Sequence, residues 1–186
     1  MIEKCSAAVV FIRVTLKIEM FMTAKEIISQ LQLVPHPEGG FYKESYRSEG
    51  TINAACLPAV FGGNRHYATS IYYLLQAGDF SAFHRIKSDE IWHFYAGGSL
   101  RLHRIDSDGN YQHFLLGNRI AEGEQFQVVM PAGVWFAAES APGTEFTLAG
   151  CTVAPGFDFR DFDMADKAAL AAAYPQHSDV IRGLCR

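Results

Sequence analysis

Residues 78–97 read GDFSAFHRIKSDEIWHFYAG. The spacing runs Gly78, five residues, His84, one residue, Ile86, three residues, Glu90, six residues, Gly97. Side chains on a strand alternate faces, so Phe80, Ala82, His84 and Ile86 are expected to share one face of a first strand. After a turn at Lys87-Ser88-Asp89, Glu90, Trp92, Phe94 and Ala96 share one face of a second. Folded back on each other as a strand pair, the two are expected to bring His84 and Glu90 into one pocket. The same parity sends Ile91, His93 and Tyr95 away from it.

Outward from this stretch the chain reads as β almost continuously. Strand-like runs are Ala68–Leu75, Phe80–Ile86, Glu90–Ala96, Ser99–Asp106, Tyr111–Leu116, Gln125–Met130, Trp135–Ala138 and Phe146–Val153. Gly, Pro, Asn and Asp clusters such as Gly97-Gly98, Ser107-Asp108-Gly109-Asn110 and Pro131-Ala132-Gly133 punctuate them. Many short strands at this spacing predict an all-β sandwich or barrel. A jelly roll of two facing sheets manages the edge strands best.

The flanks are shorter in content. Thr23-Ala24-Lys25-Glu26 is a capping box, and Ile27, Ile28 and Leu31 follow at helical spacing, so a short helix is expected to end by Pro35. HPEGGFYKESYRS (36–48) reads as a turn at Pro37 and Gly39-Gly40, then a strand with Tyr42, Glu44 and Tyr46 on one face. Residues 49–66 read as a long loop, a lid or a subunit contact. A C-terminal helix is expected from Met164 to Ala173, capped by Asp163 and stopped by Pro175. Residues 1–21 are apolar and β-branched but broken by Arg13, Lys17 and Glu19. From Val10 the alternation FIRVTLKIE suits an added strand rather than a signal peptide, with upstream sequence before a second start at Met22 as the alternative. One domain is expected over 22–186, with 1–21 as an extension.

The chain has 186 residues, 49% hydrophobic and 19% charged, with net charge −4. That is enough for a sizeable core, and it lacks the basic footprint of a nucleic-acid binder. No apolar run approaches the roughly 18–20 residues of a membrane span. Cys5, Cys56, Cys151 and Cys185 include no close pair, which reads as free thiols in a reducing cytoplasm. A small-molecule ligand is the expected partner, rather than nucleic acid or a membrane.

The spacing around His84 resembles the first motif of the cupin superfamily, G-x5-H-x-H-x3,4-E-x6-G, with Ile86 in place of the second histidine. A weaker second motif follows at Pro131-Ala132-Gly133, where Phe136 stands in the histidine position and Ser140 in the asparagine position. HPEGGFYKESYRS, HRIKSDEIWHFYAG, PAGVWFAA and CTVAPGFDFRDF together resemble the fifth cupin group, a bacterial and fungal family with no firmly assigned reaction. Its fold is similar to that of the rhamnose-pathway epimerase. The resemblance covers roughly residues 22–175. It implies a homodimeric double-stranded β-helix with short terminal helices and a solvent-open pocket.

Metal-binding cupins use three histidines and a glutamate. Carried over, His84 and Glu90 remain while Ile86 and Phe136 are apolar, so no metal cofactor is expected, though a divalent ion at His84 and Glu90 is the alternative. A histidine beside a carboxylate in an apolar pocket is an acid/base pair that titrates near neutrality. His84 and Glu90 are the candidate catalytic pair, with Tyr42 as proton donor and Tyr72 or Tyr95 behind it. Ile86, Trp92, Phe94, Phe136 and Glu44 are the candidate substrate contacts. The expected function is a small-molecule-binding cupin acting as a metal-independent isomerase or epimerase on a sugar-like or other small polar substrate. A non-catalytic ligand-binding cupin, and a metal enzyme with an incomplete first shell, are the competing readings. Plain structural roles weigh against all three. His84 and Glu90 can simply bond each other, Trp92, Phe94, Trp135 and Phe136 can be core, Cys151 can be a small buried apolar residue, and Glu38, Glu44 and Arg47 can be salt-bridged strand residues.

Overall fold

The computed structural model describes residues 22–186, and the strand expected within 1–21 lies outside them. Helix α1 (Ala24–Leu31) opens the described chain, with the capping box formed between Thr23 and Glu26. Thirteen strands follow: β1 (Val34–Pro35), β2 (Phe41–Arg47), β3 (Thr51–Ile52), β4 (Arg65–His66), β5 (Thr69–Gln76), β6 (Phe80–Ile86), β7 (Asp89–Gly97), β8 (Leu100–Ile105), β9 (Tyr111–Leu116), β10 (Gln127–Met130), β11 (Trp135–Ser140), β12 (Phe146–Ala154) and β13 (Phe162–Met164). Helices α2 (Lys167–Ala173) and α3 (Ser178–Gly183) close it.

The strands form a six-stranded sheet, β1-β2-β5-β12-β7-β10, and a five-stranded sheet, β13-β6-β11-β8-β9, with β3-β4 as a separate hairpin. Every pairing between these strands is antiparallel. This is the jelly-roll arrangement. Inward side chains of both sheets, among them Tyr73, Leu75, Trp92, Leu102, Val128, Met130 and Phe136, fill one interior. A second cluster buries Phe83, Ile105 and Ala137 on the outer face of the five-stranded sheet beneath Leu170, Ile181 and Leu184 of the terminal helices. Helix α1 packs Ile27 against Leu74 on the outer side of the six-stranded sheet.

Four local expectations are corrected. The strands carrying His84 and Glu90 are not a hydrogen-bonded pair: β6 pairs with β11 and β13, whereas β7 pairs with β12 and β10. The chain crosses from one sheet to the other at Lys87-Ser88, so the two strands line facing walls. The face parity of β6 also breaks. Its register against β11 runs Phe136↔His84 and then Ala138↔Ser81, a bulge that inserts one residue. A bulge flips the faces beyond it. Ser81 therefore reaches the interior side with His84, and Phe80 packs with Phe83 outside. The C-terminal helix starts three residues later than expected, because Asp166 caps it through the Ala169 amide (2.8 Å). Phe162–Met164 is instead an edge strand on β6, and Asp163 pairs with Arg85 (2.7 Å). The stretch 49–66 is built as the β3–β4 hairpin around two short 3-10 turns rather than left as open loop.

Candidate functional site

One cavity of about 720 Å³ opens at the end of the barrel where β2, β5, β12, β7 and β6 converge with the segment 157–162. Its floor carries Glu38, His84, Ile86, Glu90, Cys151 and Val153, all buried. Its rim carries Lys43, Glu44, Arg47, Phe157, Asp158 and Phe159.

Glu38 reaches the floor through a tight turn. His36 N–H donates to the Gly40 carbonyl and Gly39 N–H to the His36 carbonyl, each at 3.0 Å. Gly39 holds φ +120°, and a Cβ there would collide with the Phe80 carbonyl, so only glycine serves. The turn is tied to the bulge of β6 by Ala82 N–H to the Glu38 carbonyl (2.9 Å) and by the Ser81 hydroxyl to Glu38 Oε1 (2.9 Å). Tyr73 donates its hydroxyl to the Gly39 carbonyl (2.7 Å).

The other oxygen, Glu38 Oε2, lies 3.2 Å from His84 Nε2 and 3.4 Å from His36 Nδ1. His84 Nδ1 is 2.7 Å from the Ala82 carbonyl. A carbonyl only accepts, so Nδ1 carries the hydrogen and Nε2 of the neutral ring is bare. His36 Nδ1 accepts the Glu38 amide (3.3 Å) and is bare as well. Oε2 therefore faces two ring acceptors. The contact is satisfied only if one proton sits on Oε2 or passes to a ring nitrogen.

Burial sets the electrostatics. It pushes His84 down to about 4, against the opposing bond to Ala82. It pushes Glu38 up from its usual value, opposed by the charge of His36 and the bonds from Ser81 and Tyr73. His36 is lowered, again mainly by burial. Glu90, on the facing sheet, is pushed up to about 8 by burial and then by the nearby Glu38 charge, with the Cys151 thiol opposing. The Cys151 thiol is itself raised far out of the reactive range by burial beside Glu90. At neutral pH Glu90 keeps its proton and His84 is neutral, while burial pushes Glu38 toward its protonated form.

The expected His84–Glu90 pair is thus corrected in part. Both residues line the one cavity, but the carboxylate that contacts His84 is Glu38. Crossing between sheets holds Glu90 on the opposite wall. Tyr42 lines the cavity, its ring edge-on to His36 at 4.4 Å. Ile86 and Glu44 line it too. Trp92, Phe94 and Phe136 do not. Trp92 packs on Tyr73 in the barrel interior (5.3 Å between rings), Phe94 rests on the same core, and Phe136 backs His84 at 4.1 Å. Phe136 is the cross-strand neighbour of His84 and lies behind its ring rather than on the cavity surface. Tyr72 and Tyr95 meet edge to face at 6.1 Å away from the cavity. His93 points outward as parity requires, bonded to Gln127 and Thr152.

His36 and Glu38 are the site residues that the sequence reading missed. The sequence reads Pro37 and Gly39-Gly40 as a turn and Glu38 as a salt-bridged structural residue. The available signal was the acid wedged between proline and two glycines directly after a histidine, a geometry that fixes where the acid points.

The donor set suits a divalent ion poorly. Ile86 and Phe136 occupy two corners that offer no lone pair, and His84 Nε2 is turned to Glu38. Among the described residues no group of three His, Cys, Asp or Glu side chains has the arrangement to hold a metal. Among them, too, no helix is long and apolar enough to cross a membrane.

Comparison with known proteins gives consistent relatives. The family described as Cupin superfamily (DUF985) matches residues 25–165. The uncharacterized protein YML079W of Saccharomyces cerevisiae is 34% identical over 148 residues, spanning 74% of this chain and 72% of that protein. The fold is similar to protein SO0799 from Shewanella oneidensis, with TM-score 0.81 and 40% identity over 89% of this chain and 99% of that one. It is also similar to a hypothetical protein from Leishmania major, with TM-score 0.79 and 38% identity over 88% and 99%.

Proposed function

This chain belongs to the cupin superfamily family DUF985, and from that premise we propose that it is an acid–base isomerase or epimerase acting on a small polar molecule in the barrel cavity. The observation that carries this reading is the 3.2 Å contact between His84 Nε2 and Glu38 Oε2 on the floor of the cavity. Two apolar ligand corners make a metal-independent route the natural one.

The chemistry needs a base and an acid across one substrate. The Glu38–His84 pair accepts a proton from a carbon beside a carbonyl. The C–H bond breaks and its electron pair moves to the carbonyl oxygen. Glu90, protonated at neutral pH, gives its proton to that oxygen, and an enol results. Return of a proton to carbon completes the isomerisation, with Tyr42 as the candidate donor where the configuration inverts. Acid and base with separated protonation states are what one site needs for both halves of the step.

Exchange of substrate α-protons with deuterated water tests it. A panel of small hydroxy-ketones and aldoses should include compounds that exchange with the wild-type protein and stop exchanging in Glu38→Gln and His84→Ala. Exchange that survives in both variants removes the pair from the chemistry.

A non-catalytic ligand-binding role is the second reading, favoured by the aromatic cluster at the opening. Phe157 and Phe159 meet edge to face at 5.0 Å, and Phe159 stacks near His36 at 6.2 Å. Tight binding without exchange for any bound compound would select it.

A further inference from the structure

Three of the four charged groups at the rim, Glu44, Arg47 and Asp158, have counter-charges, and Lys43 is held by a neutral amide. Arg47 gives Nε and Nη2 to the two oxygens of Glu44 (2.9 and 2.6 Å) and Nη1 to the Phe157 carbonyl (3.2 Å). Asp158 is gripped in the same two-bond way by Arg160 (2.9 and 2.6 Å). Lys43 Nζ donates to Gln32 Oε1 at 3.0 Å. Deeper in, no lysine or arginine among the described residues lines the floor. What the floor offers is hydrogen bonding: the Glu38–His84 pair on one wall and Glu90 on the other. Between them stand apolar surfaces from Ile71, Ile86, Val153 and Phe162.

We propose that this cavity selects an uncharged, ring-sized molecule with one polar edge and turns away carboxylates and phosphate esters, a reading that rests on the acid–base assignment of the floor. An anion brought to a buried floor without a counter-cation loses its hydration and gains no ion pair. It also passes Glu44 and Asp158 on the way in. A neutral carbonyl or hydroxyl meets none of these costs. It accepts from Glu90 and presents a proton to Glu38, while its ring faces replace water on the apolar walls. A volume of about 720 Å³ suits a molecule of that kind. A sugar carried on a nucleoside diphosphate, whose two phosphates would lie at a rim where Arg47 is already bound by Glu44, is outside the class.

Matched probes test the selection by titration calorimetry: 4-hydroxyacetophenone, which is neutral, and its anionic analogues 4-hydroxybenzoate and phenyl phosphate. The neutral ketone should bind about ten-fold tighter or more than either anion. Glu44→Gln strips the counter-charge from Arg47, so the ketone-to-carboxylate affinity ratio should fall several-fold in that variant. A ketone that binds no better than the carboxylate, whether both bind or neither does, overturns the proposal. An unchanged ratio in Glu44→Gln does so as well. Failure of the acid–base reading shows separately, as neutral preference retained with no α-proton exchange in any bound compound.

Discussion

The imidazole of His84 meets the carboxyl of Glu38 across 3.2 Å, joining β6 to the turn before β2 in the facing sheet. Nδ1 is fixed by the Ala82 carbonyl and Oε1 by the Ser81 hydroxyl, so both partners present a chosen edge. The β6 bulge supplies both fixing groups. One inserted residue turns Ser81 toward Glu38 and leaves the Ala82 carbonyl within reach of the ring.

Removing the ionisable oxygen of Glu38 should abolish the chemistry without unfolding the protein. Glu38→Gln keeps the shape and the Ser81 bond but cannot take up a proton. Exchange of α-protons should fall by about 100-fold or more, in line with loss of a positioned acid–base group. Circular dichroism and the unfolding midpoint should stay close to wild type. A loss of fold in step with activity would assign Glu38 a structural role only.

Stability should depend on pH through Glu90 with a definite sign. Its folded value near 8 lies above the ordinary 4.5, so the folded state holds the proton more tightly than the unfolded chain. That stabilisation is full below about 4.5 and is lost as pH rises through 8. His84 acts oppositely. Its folded value near 4 lies below the ordinary 6.5, so its contribution is present above 6.5 and is lost as pH falls through 4. The two overlap at acid pH, and Glu90 stands apart between 6.5 and 8. Thermal midpoints should therefore decline across that window in the wild type and stay flat in Glu90→Gln. Parallel curves for the two proteins would contradict the buried, protonated Glu90.

The segment that carries Phe157, Phe159 and Phe162 is held from behind by a buried ion pair. Arg65 Nε lies 2.5 Å from Asp161 Oδ2, with side chains 1% and 3% exposed, and Arg65 also donates to the Phe61 carbonyl. Breaking one half of such a pair leaves an uncompensated buried charge. Asp161→Ala should cost about 3–5 kcal/mol of unfolding free energy. Chemical denaturation measures this, and a change under about 1 kcal/mol, the range of an exposed pair, would show that the charge finds water.

Two glycines with positive φ should differ sharply. Gly39, at φ +120°, has no room for a Cβ beside the Phe80 carbonyl. Gly62, at φ +61°, has open space within 4 Å. Gly39→Ala should destabilise by about 2 kcal/mol or more and displace Glu38. Gly62→Ala should cost roughly 1 kcal/mol, the backbone penalty alone. Equal costs would detach the Gly39 turn from the placement of Glu38.

The fold was largely legible in the sequence, because alternation and turn residues act locally. The runs from Ala68 to Val153 appear as strands with ends moved by a residue or two, and the capping box at Thr23 forms as read. The site was half legible. His84, Glu90, Ile86, Tyr42 and Glu44 line the cavity, since strand parity and the family spacing both place them inward. Glu38 was not found, because its contact with His84 depends on which strands lie opposite in two different sheets. No local pattern encodes that. The β6 bulge was equally hidden: GDFSAFHRI contains no residue that demands one, and its consequence, Ser81 inward and Phe80 outward, reverses the simple alternation. Trp92, Phe94 and Phe136 were misread for a related reason. Parity says that a side chain points inward, not whether its neighbours leave it facing the cavity or cover it, as His84 covers Phe136.

Carbon-13 NMR of the glutamate carboxyls, titrated across pH, probes the proton arrangement on the cavity floor. Glu90 should remain protonated at neutral pH and ionise near 8. Glu38 should titrate above the ordinary glutamate value, and the Glu90 curve should shift downward in Glu38→Gln as the neighbouring charge is removed. Ordinary midpoints near 4.5 for both carboxyls, unaffected by each other, would mean that the cavity holds neither a stored proton nor an acid to deliver one.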